Sequence, residues 1–334
     1  MAANPKIVIA GAGSIGCYVG GCLLLAGRDA HFLIRLRLAT ELAAHGLTIS
    51  DCSGRERKID SGRLLLDTEP SVMAAADLIF VTVKSVATAE IALQIAMHAK
   101  PGAVVVSFQN GIGNADTLRE VCHDQTVLPG MVGFNVVHLS EGRFHQATTS
   151  ALYLPPDNAA LAALKNVDGL VVRPCHDMQG ILWGKLLLNL GNALNALSGL
   201  PLHEQLHDIR WRRLHATMMD EALLAMSKAK ISPAKLTVIP ARVLPYLLRL
   251  PTPIYRHVMA ANFTIDRRAR SSMAQDLDLG RHTEIDFLQG AVIALAEKHG
   301  VSTPLCRWVA DAVRLAEVAK SGSPCLAPES LLSH

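Results

Sequence analysis

Apolar residues at the start of the chain alternate between strand-like and helix-like patterns. Residues 6–10 are mostly apolar and lead into the turn sequence Gly-Ala-Gly-Ser-Ile-Gly at 11–16, after which an apolar helical pattern runs to Gly27. A second strand-like run occupies residues 30–34. This order of strand, turn, helix and strand predicts a βαβ unit at the N-terminal end of the chain.

The same alternation continues through the first half of the chain. The predicted elements are buried strands at 77–83 and 103–108, a crossover helix at 87–99, and strands within 127–154 joined by a hairpin at 140–142. We interpret residues 46–60 as a turn in a short exposed insertion. Apolar strands that alternate with helices are typical of a parallel sheet covered on both faces.

Helical periodicity replaces this pattern from Met178 onward. The predicted helices span 181–198, 204–229, 284–299 and 304–319. Ser232-Pro233 and Thr303-Pro304 predict helix starts, because proline is favoured in the first turn. Four prolines make residues 238–262 irregular.

These patterns predict an α/β protein with two domains. An N-terminal Rossmann-type dinucleotide-binding domain occupies residues 1–175, and an all-helical C-terminal domain follows at residues 176–334. The cleft between two such domains is the usual place for a substrate.

Composition narrows the class of protein. Of the 334 residues 50% are hydrophobic and 18% are charged, with a net charge of +3, and the scattered basic residues do not form the stripe that nucleic acid requires. No apolar run is long enough to predict a membrane span, and the first strand leaves no room for a signal peptide. Seven cysteines without metal-ligand spacing predict free thiols and no metal site. We therefore expect a cytoplasmic protein with no nucleic-acid or membrane partner.

Each glycine of the turn has a distinct expected task. Gly11 allows the tight turn, Gly13 lets the backbone approach a pyrophosphate, and Gly16 lets helix and strand pack closely. The phosphates would bind the N–H groups at the helix start, which belong to Ser14 and Ile15. The strand before the turn and the helix after it favour a dinucleotide site over an ordinary βαβ turn.

The end of the second strand predicts which dinucleotide binds. An NAD site usually places a carboxylate there, about 20 residues after the glycines, to bind the ribose hydroxyls. This chain has Arg35 and Arg37 instead, and no acid until Glu41. A guanidinium attracts a 2′-phosphate, and one charge-assisted hydrogen bond is worth about 1.5–3 kcal/mol. We interpret this as an NADPH site, the alternative being that both arginines belong to a solvated loop.

Three polar residues interrupt the apolar helix predicted at 181–198. Lys185, Asn189 and Asn192 are spaced i, i+4 and i+7, which places them on one stripe of a helix. An unpaired amide in such surroundings costs about 1–3 kcal/mol, so each of these groups needs a partner. The stripe either binds a ligand or meets solvent or another helix, and the second alternative suits Asn192 and Asn195 best.

Two other polar clusters are candidates for a site. Lys84-Ser85 and Gln109-Asn110-Gly111 end consecutive strands, where open α/β sheets bind ligands, although Asn110-Gly111 also suits an ordinary turn. Thr283 could cap the helix that follows it, and Glu284 and Asp286 suit that helix's first turn as well as they suit a binding role. We interpret His282 as a surface or capping residue.

Taken together, these stretches are similar to the ketopantoate reductase (2-dehydropantoate 2-reductase) family. The matching stretches, in the family's order, are residues 11–16, Leu33-Ile34-Arg35, Val81-Thr82-Val83-Lys84, Gln109-Asn110-Gly111, 185–189, 271–276 and 281–286. The resemblance implies reduction of the 2-keto group of ketopantoate by NADPH, which gives pantoate for pantothenate and coenzyme A synthesis.

The resemblance also implies roles for individual residues. They are Lys185 as general acid, Glu284 as the group that orients the substrate, Ser272 at the substrate carboxylate, Asn189 as a further substrate ligand, and Lys84 and Asn110 beside nicotinamide and substrate. Many members have another asparagine at i+8 from the lysine. This chain has Ala193 there, and Asn192 is the candidate to replace it.

That departure keeps other functions open. One alternative is an NADPH-dependent reductase of another branched 2-keto acid, and a second is a non-catalytic NADPH-sensing protein whose second domain recruits a partner. An opine-type condensing dehydrogenase shares the architecture but needs an amine substrate as well. The apolar helices of the second domain could form the face of a homodimer.

Overall fold

The computed structural model describes residues 4–260 and 269–331, without the side chains of Met259 and Ala260. The chain divides into two compact units, Met1–Met178 and Gln179–His334. Among the described residues, every helix is too short or too polar to cross a membrane.

The first unit contains all the strands of the described chain. They are β1 (Lys6–Ala10), β2 (Asp29–Leu33), β3 (Leu47–Ser50), β4 (Glu56–Ile59), β5 (Leu65–Asp67), β6 (Leu78–Val81), β7 (Val104–Ser107), β8 (Thr126–Pro129), β9 (Met131–Val132), β10 (Val136–His138), β11 (Arg143–Gln146), β12 (Ala151–Leu154) and β13 (Val171–Pro174). The helices of this unit are α1 (Ser14–Leu25), α2 (Leu36–His45), α3 (Thr88–His98), α4 (Asn114–Arg119) and α5 (Ala159–Leu164).

A six-stranded parallel sheet forms the centre of the first unit. Its strand order is β5-β2-β1-β6-β7-β8, so the chain builds outward from β1 on one side and then from β6 on the other. The inner strands β1 and β6 are almost fully buried, which explains their continuous apolar runs. The strand order reverses between β1 and β6, and open α/β sheets bind ligands outside the carboxyl ends of the strands at such a point. The predicted Rossmann-type fold is confirmed.

Two smaller sheets complete the first unit, with strand orders β10-β11-β3-β4 and β13-β12-β9. The hairpin predicted at residues 140–142 joins β10 and β11, as expected. The prediction of an exposed insertion at 46–60 was wrong. Residues 47–59 form the antiparallel hairpin β3–β4, whose Leu47, Ile49 and Ile59 are buried. Only its tip, residues 52–55, is the exposed turn that the sequence indicated.

The second unit is helical. Its helices are α6 (Met178–Asn189), which begins at the unit boundary, α7 (Gly191–Ser198), α8 (Leu202–His207), α9 (Ile209–Lys228), α10 (Leu244–Leu248), α11 (Thr252–Ala260), α12 (Ser272–Asp278), α13 (Ile285–Lys298) and α14 (Pro304–Ala319). The helix starts predicted near residues 284 and 304 are confirmed. Residues 238–260, predicted to be irregular, contain the whole of α10 and α11, and residues 261 and 262 lie outside the described chain.

Three helix predictions in this unit needed correction. The helix predicted at 181–198 is interrupted at Leu190, and the one predicted at 204–229 is interrupted at Asp208, whose carboxylate accepts the N–H of Arg210 and caps α9. Ser232-Pro233 does not start a helix. The chain there crosses α6 so closely that the Ala234 N–H donates to the Gly180 carbonyl, at 2.8 Å.

Candidate active site

The glycine turn after β1 has the geometry of a phosphate cradle. Gly11 has φ +85°, and a Cβ on it would lie 2.1 Å from Cγ1 of Val83, while a Cβ on Gly16 would lie 2.5 Å from Oγ1 of Thr82. Both positions therefore require glycine for the protein's own packing. A Cβ on Gly13 would meet nothing in the described chain closer than Gly11 O, at 4.0 Å. The protein itself thus has no need of glycine at 13, which fits a position kept clear for a ligand.

The start of α1 lies directly behind this turn. Gly13 is its N-cap residue without a side-chain cap, and the first turn carries no acidic residue. The first N–H groups of a helix have no partner within the helix, and together with the helix dipole they favour an anion. Gly13, Ser14 and Ile15 are partly or fully exposed there, so the turn and the helix start fit a dinucleotide pyrophosphate.

Arg35 lies at the start of α2, immediately after the β2 edge of the sheet. It is the N-cap residue of α2, and both Arg35 and Arg37 are exposed. Glu41 is engaged elsewhere, because its Oε1 lies 2.6 Å from Nε2 of His138 and accepts the N–H of Gly142 at 2.8 Å. Although burial alone would raise it, these hydrogen bonds hold the pKa of Glu41 below its ordinary value. The positive charges at this corner therefore have no acidic neighbour within α2's first turn.

One carboxylate near this corner could not be found from the spacing. Asp67 ends β5, which pairs with β2, and it lies in register with Leu33. Asp67 lies 32 residues after Arg35 in the sequence. The two come near each other only because β5 pairs with β2, and the sequence spacing does not show that pairing. Any test of cofactor choice must therefore include Asp67.

The structure brings the loops of Lys84 and Asn110 together. Lys84 follows β6 and Asn110 follows β7, and these strands are parallel neighbours with Val81 in register with Ser107. The hydroxyl of Ser85 donates to the backbone carbonyl of Asn110 at 2.8 Å. Lys84 is exposed and Asn110 is partly exposed, and both lie at the carboxyl edge of the sheet.

Lys185 and Asn189 are one helical turn apart on α6, and Asn192 follows the break at Leu190. Lys185 and Asn189 lie on α6 and are partly buried, and Asn192 lies in the first turn of α7. Burial lowers the pKa of Lys185 from 10.5 to about 8, because an apolar environment disfavours the ammonium. Lys185 is therefore an acid close to neutral pH.

The break at Leu190 has an identifiable cause in two neighbouring helices. The ring of His215, on α9, hydrogen-bonds to the Leu187 carbonyl and packs so closely that a Cβ on Gly191 would lie 2.8 Å from its Cε1. The buried amide of Gln289, on α13, donates to the Leu190 carbonyl at 2.9 Å. Side chains that bond to helix carbonyls interrupt the helical ladder, so these two residues set where α6 ends.

Asn195 connects α7 to the start of α12. It is fully buried, donates to Leu200 O and Gln205 Oε1, and accepts the N–H of Ser271 at 2.8 Å. Ser271 in turn donates to the Asn192 carbonyl at 3.0 Å and caps α12 by accepting the Ala274 N–H.

This connection has two consequences for the residues predicted from sequence. The alternative of hydrogen bonding to another element, kept open for Asn195, is correct. Ser272, which is exposed as the first residue of α12, is brought close along the chain to Asn192, because Ser271 bonds to the Asn192 backbone.

Glu284 lies among residues that make contacts within the second unit. The Thr283 hydroxyl accepts the Ile285 N–H at 3.2 Å, so it bonds to the first N–H of α13 as predicted, although the N-cap residue is Glu284. Asp286 is exposed and pairs with Arg314, and His282 is exposed and lies 3.2 Å from Glu317. Glu284 is partly buried at the N-cap position of α13. Asp286 and His282 are therefore accounted for by contacts within the unit.

Pattern reasoning missed four polar residues that support the candidate site. Thr88 and Asn114 hold the Lys84 and Asn110 loops, and His215 and Gln289 contact the end of α6. Thr88, His215 and Gln289 lie on helices that the sequence predicts, where a single polar residue does not reveal whether it is buried. Asn114 begins α4, a helix that the sequence analysis did not predict. No group of three His, Cys, Asp or Glu side chains within the described residues is arranged to hold a metal ion.

Comparisons with known proteins agree with the motif order. The family model for ketopantoate reductase PanE/ApbA matches residues 7–158, and the model for its C-terminal part matches residues 177–317. The chain is 30% identical over 327 residues to the 2-dehydropantoate 2-reductase of Halobacterium salinarum, covering 93% of this chain and 99% of that protein.

Solved structures resemble the chain over nearly its whole length. A PanE/ApbA family ketopantoate reductase from Ralstonia eutropha JMP134 has a TM-score of 0.80 at 28% identity, covering 94% of this chain and 99% of that one. D-mandelate dehydrogenase, solved with NADH and anilino(oxo)acetate, has a TM-score of 0.77 at 20% identity over 94% and 99% of the two chains, which shows a shared fold.

Proposed function

We propose, since the chain belongs to the ketopantoate reductase PanE/ApbA family, that it catalyses the NADPH-dependent reduction of ketopantoate (2-dehydropantoate) to pantoate, a step toward pantothenate and coenzyme A. The observation that carries the proposal is the ammonium of Lys185, whose pKa burial lowers to about 8, on the helix stripe that it shares with Asn189. A group that must donate a proton at neutral pH works best with a pKa near that pH.

The protein's part in this reaction is to hold the substrate and to deliver a proton. NADPH, when bound, supplies the hydride for the keto carbon. Lys185 stabilises the negative charge that builds on the keto oxygen and then protonates it, a contribution of about 10²–10⁴-fold. Ser272 binds the substrate carboxylate, Asn189 and Asn192 hold the substrate, and Glu284 accepts a hydrogen bond from its 4-hydroxyl.

The cofactor is held by the first unit in this proposal. Gly11, Gly13 and Gly16 shape the turn, and the N–H groups of Ser14 and Ile15 bind the pyrophosphate. Lys84 and Asn110 lie beside the nicotinamide and the substrate. Arg35 binds the 2′-phosphate, supported by Arg37 and by the start of α2. D-mandelate dehydrogenase was solved with NADH, so the choice of NADPH rests on this chain's own charges.

An absorbance assay tests the proposal directly. NADPH oxidation is followed with ketopantoate for the native protein and for Lys185→Ala. We expect turnover by the native protein and a loss of at least about 100-fold in kcat for the variant, with NADPH binding retained. Lys228→Ala is the control, because it removes an exposed lysine from the last turn of α9 in the same unit and should leave turnover unchanged. Near-normal turnover by Lys185→Ala would remove the lysine from its role.

A second candidate is reduction of a different branched 2-keto acid. It is favoured by Ala193, which stands where many family members have asparagine, and by Asn192, whose carbonyl holds Ser271 and which therefore has a fixed backbone. A panel of 2-keto acids with and without a 4-hydroxyl separates the two. Equal kcat/KM for both groups of substrates would favour the second candidate. NADPH binding without oxidation of any acid would instead indicate a sensor.

Location and assembly remain predictions. An odd number of cysteines, expected to be free thiols, favours a reducing compartment such as the cytoplasm. The apolar helices of the second unit favour a homodimer. Light scattering of the purified protein measures the assembly.

A further inference from the structure

Five buried polar side chains lie between the Lys84 and Asn110 loops of the first unit. They are Ser85, Thr88, Ser107, Gln109 and Asn114, each at most 6% exposed. They come from four separate places: the turn after β6, the start of α3, the end of β7 with the loop after it, and the start of α4. A buried polar group is costly unless it is paired, so a cluster of five requires an explanation.

The hydrogen bonds of this cluster run in one direction. The backbone carbonyl of Asn110 can only accept, so the group facing it at 2.7 Å must be the amide nitrogen of Asn114. The oxygen of the same amide therefore faces Thr88, 2.8 Å away. The Thr88 hydroxyl also lies 2.8 Å from the Ser85 carbonyl, so its single proton is shared between these two acceptors on neighbouring loops. Thr88 then accepts from Gln109 Nε2 at 2.7 Å, and Gln109 Oε1 accepts from Ser107 at 2.8 Å.

The chain of donors ends on a single atom, the carbonyl oxygen of Asn110. Ser85 donates to that same oxygen at 2.8 Å and accepts from Asn114 at 3.1 Å. Two side chains from different loops thus hold the backbone of Asn110, and one of them, Ser85, is the neighbour of Lys84. Because Gly111 and Gly113 have positive φ, the backbone after Asn110 gains no support from regular structure.

We propose that Thr88 and Asn114 are positioning residues that fix the Lys84 and Asn110 side chains against the nicotinamide half of the cofactor. Neither residue contacts the ligand. Their hydroxyl and amide set the spacing between two loops, and that spacing determines where the two exposed side chains point. This proposal rests on the proposed dinucleotide site. It adds to that site two residues, Thr88 and Asn114, that hold the cofactor-binding loops in place without touching the cofactor.

Thr88→Val tests this with the least change of shape, since it replaces the hydroxyl by a methyl group. We expect NADPH to bind at least about fivefold more weakly, while adenosine 2′,5′-bisphosphate, which lacks the nicotinamide half, binds as it does to the native protein. Fluorescence of the bound nicotinamide should also fall. Thr88→Ser keeps the hydroxyl and should restore all three measurements. Thr48→Val is the matched control, because it makes the same change at a buried position on β3.

Turnover gives a separate measurement. In Thr88→Val, kcat with ketopantoate should fall about 10- to 100-fold, and the isotope effect with 4-deuterated NADPH should rise as hydride transfer becomes limiting. A residue needed only for stability would lower the melting temperature and the active fraction without changing the isotope effect. Asn114→Asp, which keeps the size but loses the donor toward Asn110, should reproduce the result if Thr88→Val does not fold.

Two results would overturn the inference. One is equal weakening of NADPH and adenosine 2′,5′-bisphosphate by Thr88→Val, which would indicate general damage to the first unit. The other is behaviour of Thr88→Val that matches Thr48→Val in every measurement. If the native protein reduces no 2-keto acid, the proposed function fails, whereas the binding and fluorescence comparison still decides the role of Thr88.

Discussion

Raising the pH should remove the activity by discharging Lys185. Burial lowers the pKa of this ammonium from 10.5 to about 8, and the general acid is active only when protonated. Because this pKa belongs to the protein without substrate, we expect kcat/KM for the 2-keto acid to be constant below pH 7, to halve near pH 8, and to fall by about tenfold at pH 9. An ordinary lysine would keep its proton, and its activity, beyond pH 9.

The same shift makes a prediction for stability, with a definite sign. Below pH 8 both the folded and the unfolded chain carry the charge, so folding bears the full cost of burying it. Between about pH 8 and 10.5 the unfolded chain binds a proton that the folded chain has lost, so this cost disappears as the pH rises. A fall in pKa from 10.5 to about 8 corresponds to about 3 kcal/mol, an upper limit because the side chain is only partly buried.

Two measurements check this reasoning. The first is a pH profile of kcat/KM for the 2-keto acid. In this profile Lys185→Arg should lose both the activity and the fall near pH 8, since a guanidinium keeps its proton. The second is urea unfolding of Lys185→Met, which should be more stable than the native protein at pH 7 by up to about 3 kcal/mol, and by less at pH 10. A native profile that stays flat to pH 10, or a Lys185→Met protein that is less stable at pH 7, would refute the argument.

Three further predictions concern the cofactor site and the helix break. Arg35→Asp should lower the preference for NADPH over NADH, measured as the ratio of the two Kd values by fluorescence titration, by about 10- to 100-fold. Asp67→Asn should leave that ratio unchanged. If instead Asp67→Asn changes the ratio and Arg35→Asp does not, Asp67 is the residue that binds the adenosine ribose. Gly13→Ala should keep the native melting temperature but lose NADPH binding, whereas Gly16→Ala should lower the melting temperature because its methyl group meets Thr82 and Ile9; if both variants behave alike, Gly13 is not a ligand position. Gly191→Ala should destabilise the protein by about 1–3 kcal/mol in urea unfolding, because its methyl group meets the His215 ring. Adding His215→Ala to this variant should recover part of the lost stability. If the losses of the two variants simply add, the two residues do not share this space.

Short-range pattern predicted the parallel sheet well, because buried parallel strands leave continuous apolar runs. The carboxyl ends of β6 and β7 could be paired from sequence for the same reason, which placed Lys84 and Asn110 at one edge. Long-range pairing left no such signal. Residues 46–60 were taken for an exposed insertion because β3 is completed by β11, almost a hundred residues later. The proximity of Asp67 to the Arg35 corner has the same origin.

The interruption at Leu190 could not be predicted from the helical spacing of the sequence. Residues 181–198 have helical spacing throughout, and nothing local to Leu190 opposes a continuous helix except Gly191. The break depends on His215 and Gln289, which belong to helices α9 and α13 and bond to carbonyls that a sequence does not display. Neutral histidine suits this place, since burial lowers the pKa of His215 to about 4 and a charged ring would add a buried cation at the end of α6, the helix that carries Lys185. We therefore expect His215 and Gln289, which lie outside the stripe, to influence how Asn192 is oriented relative to Lys185 and Asn189.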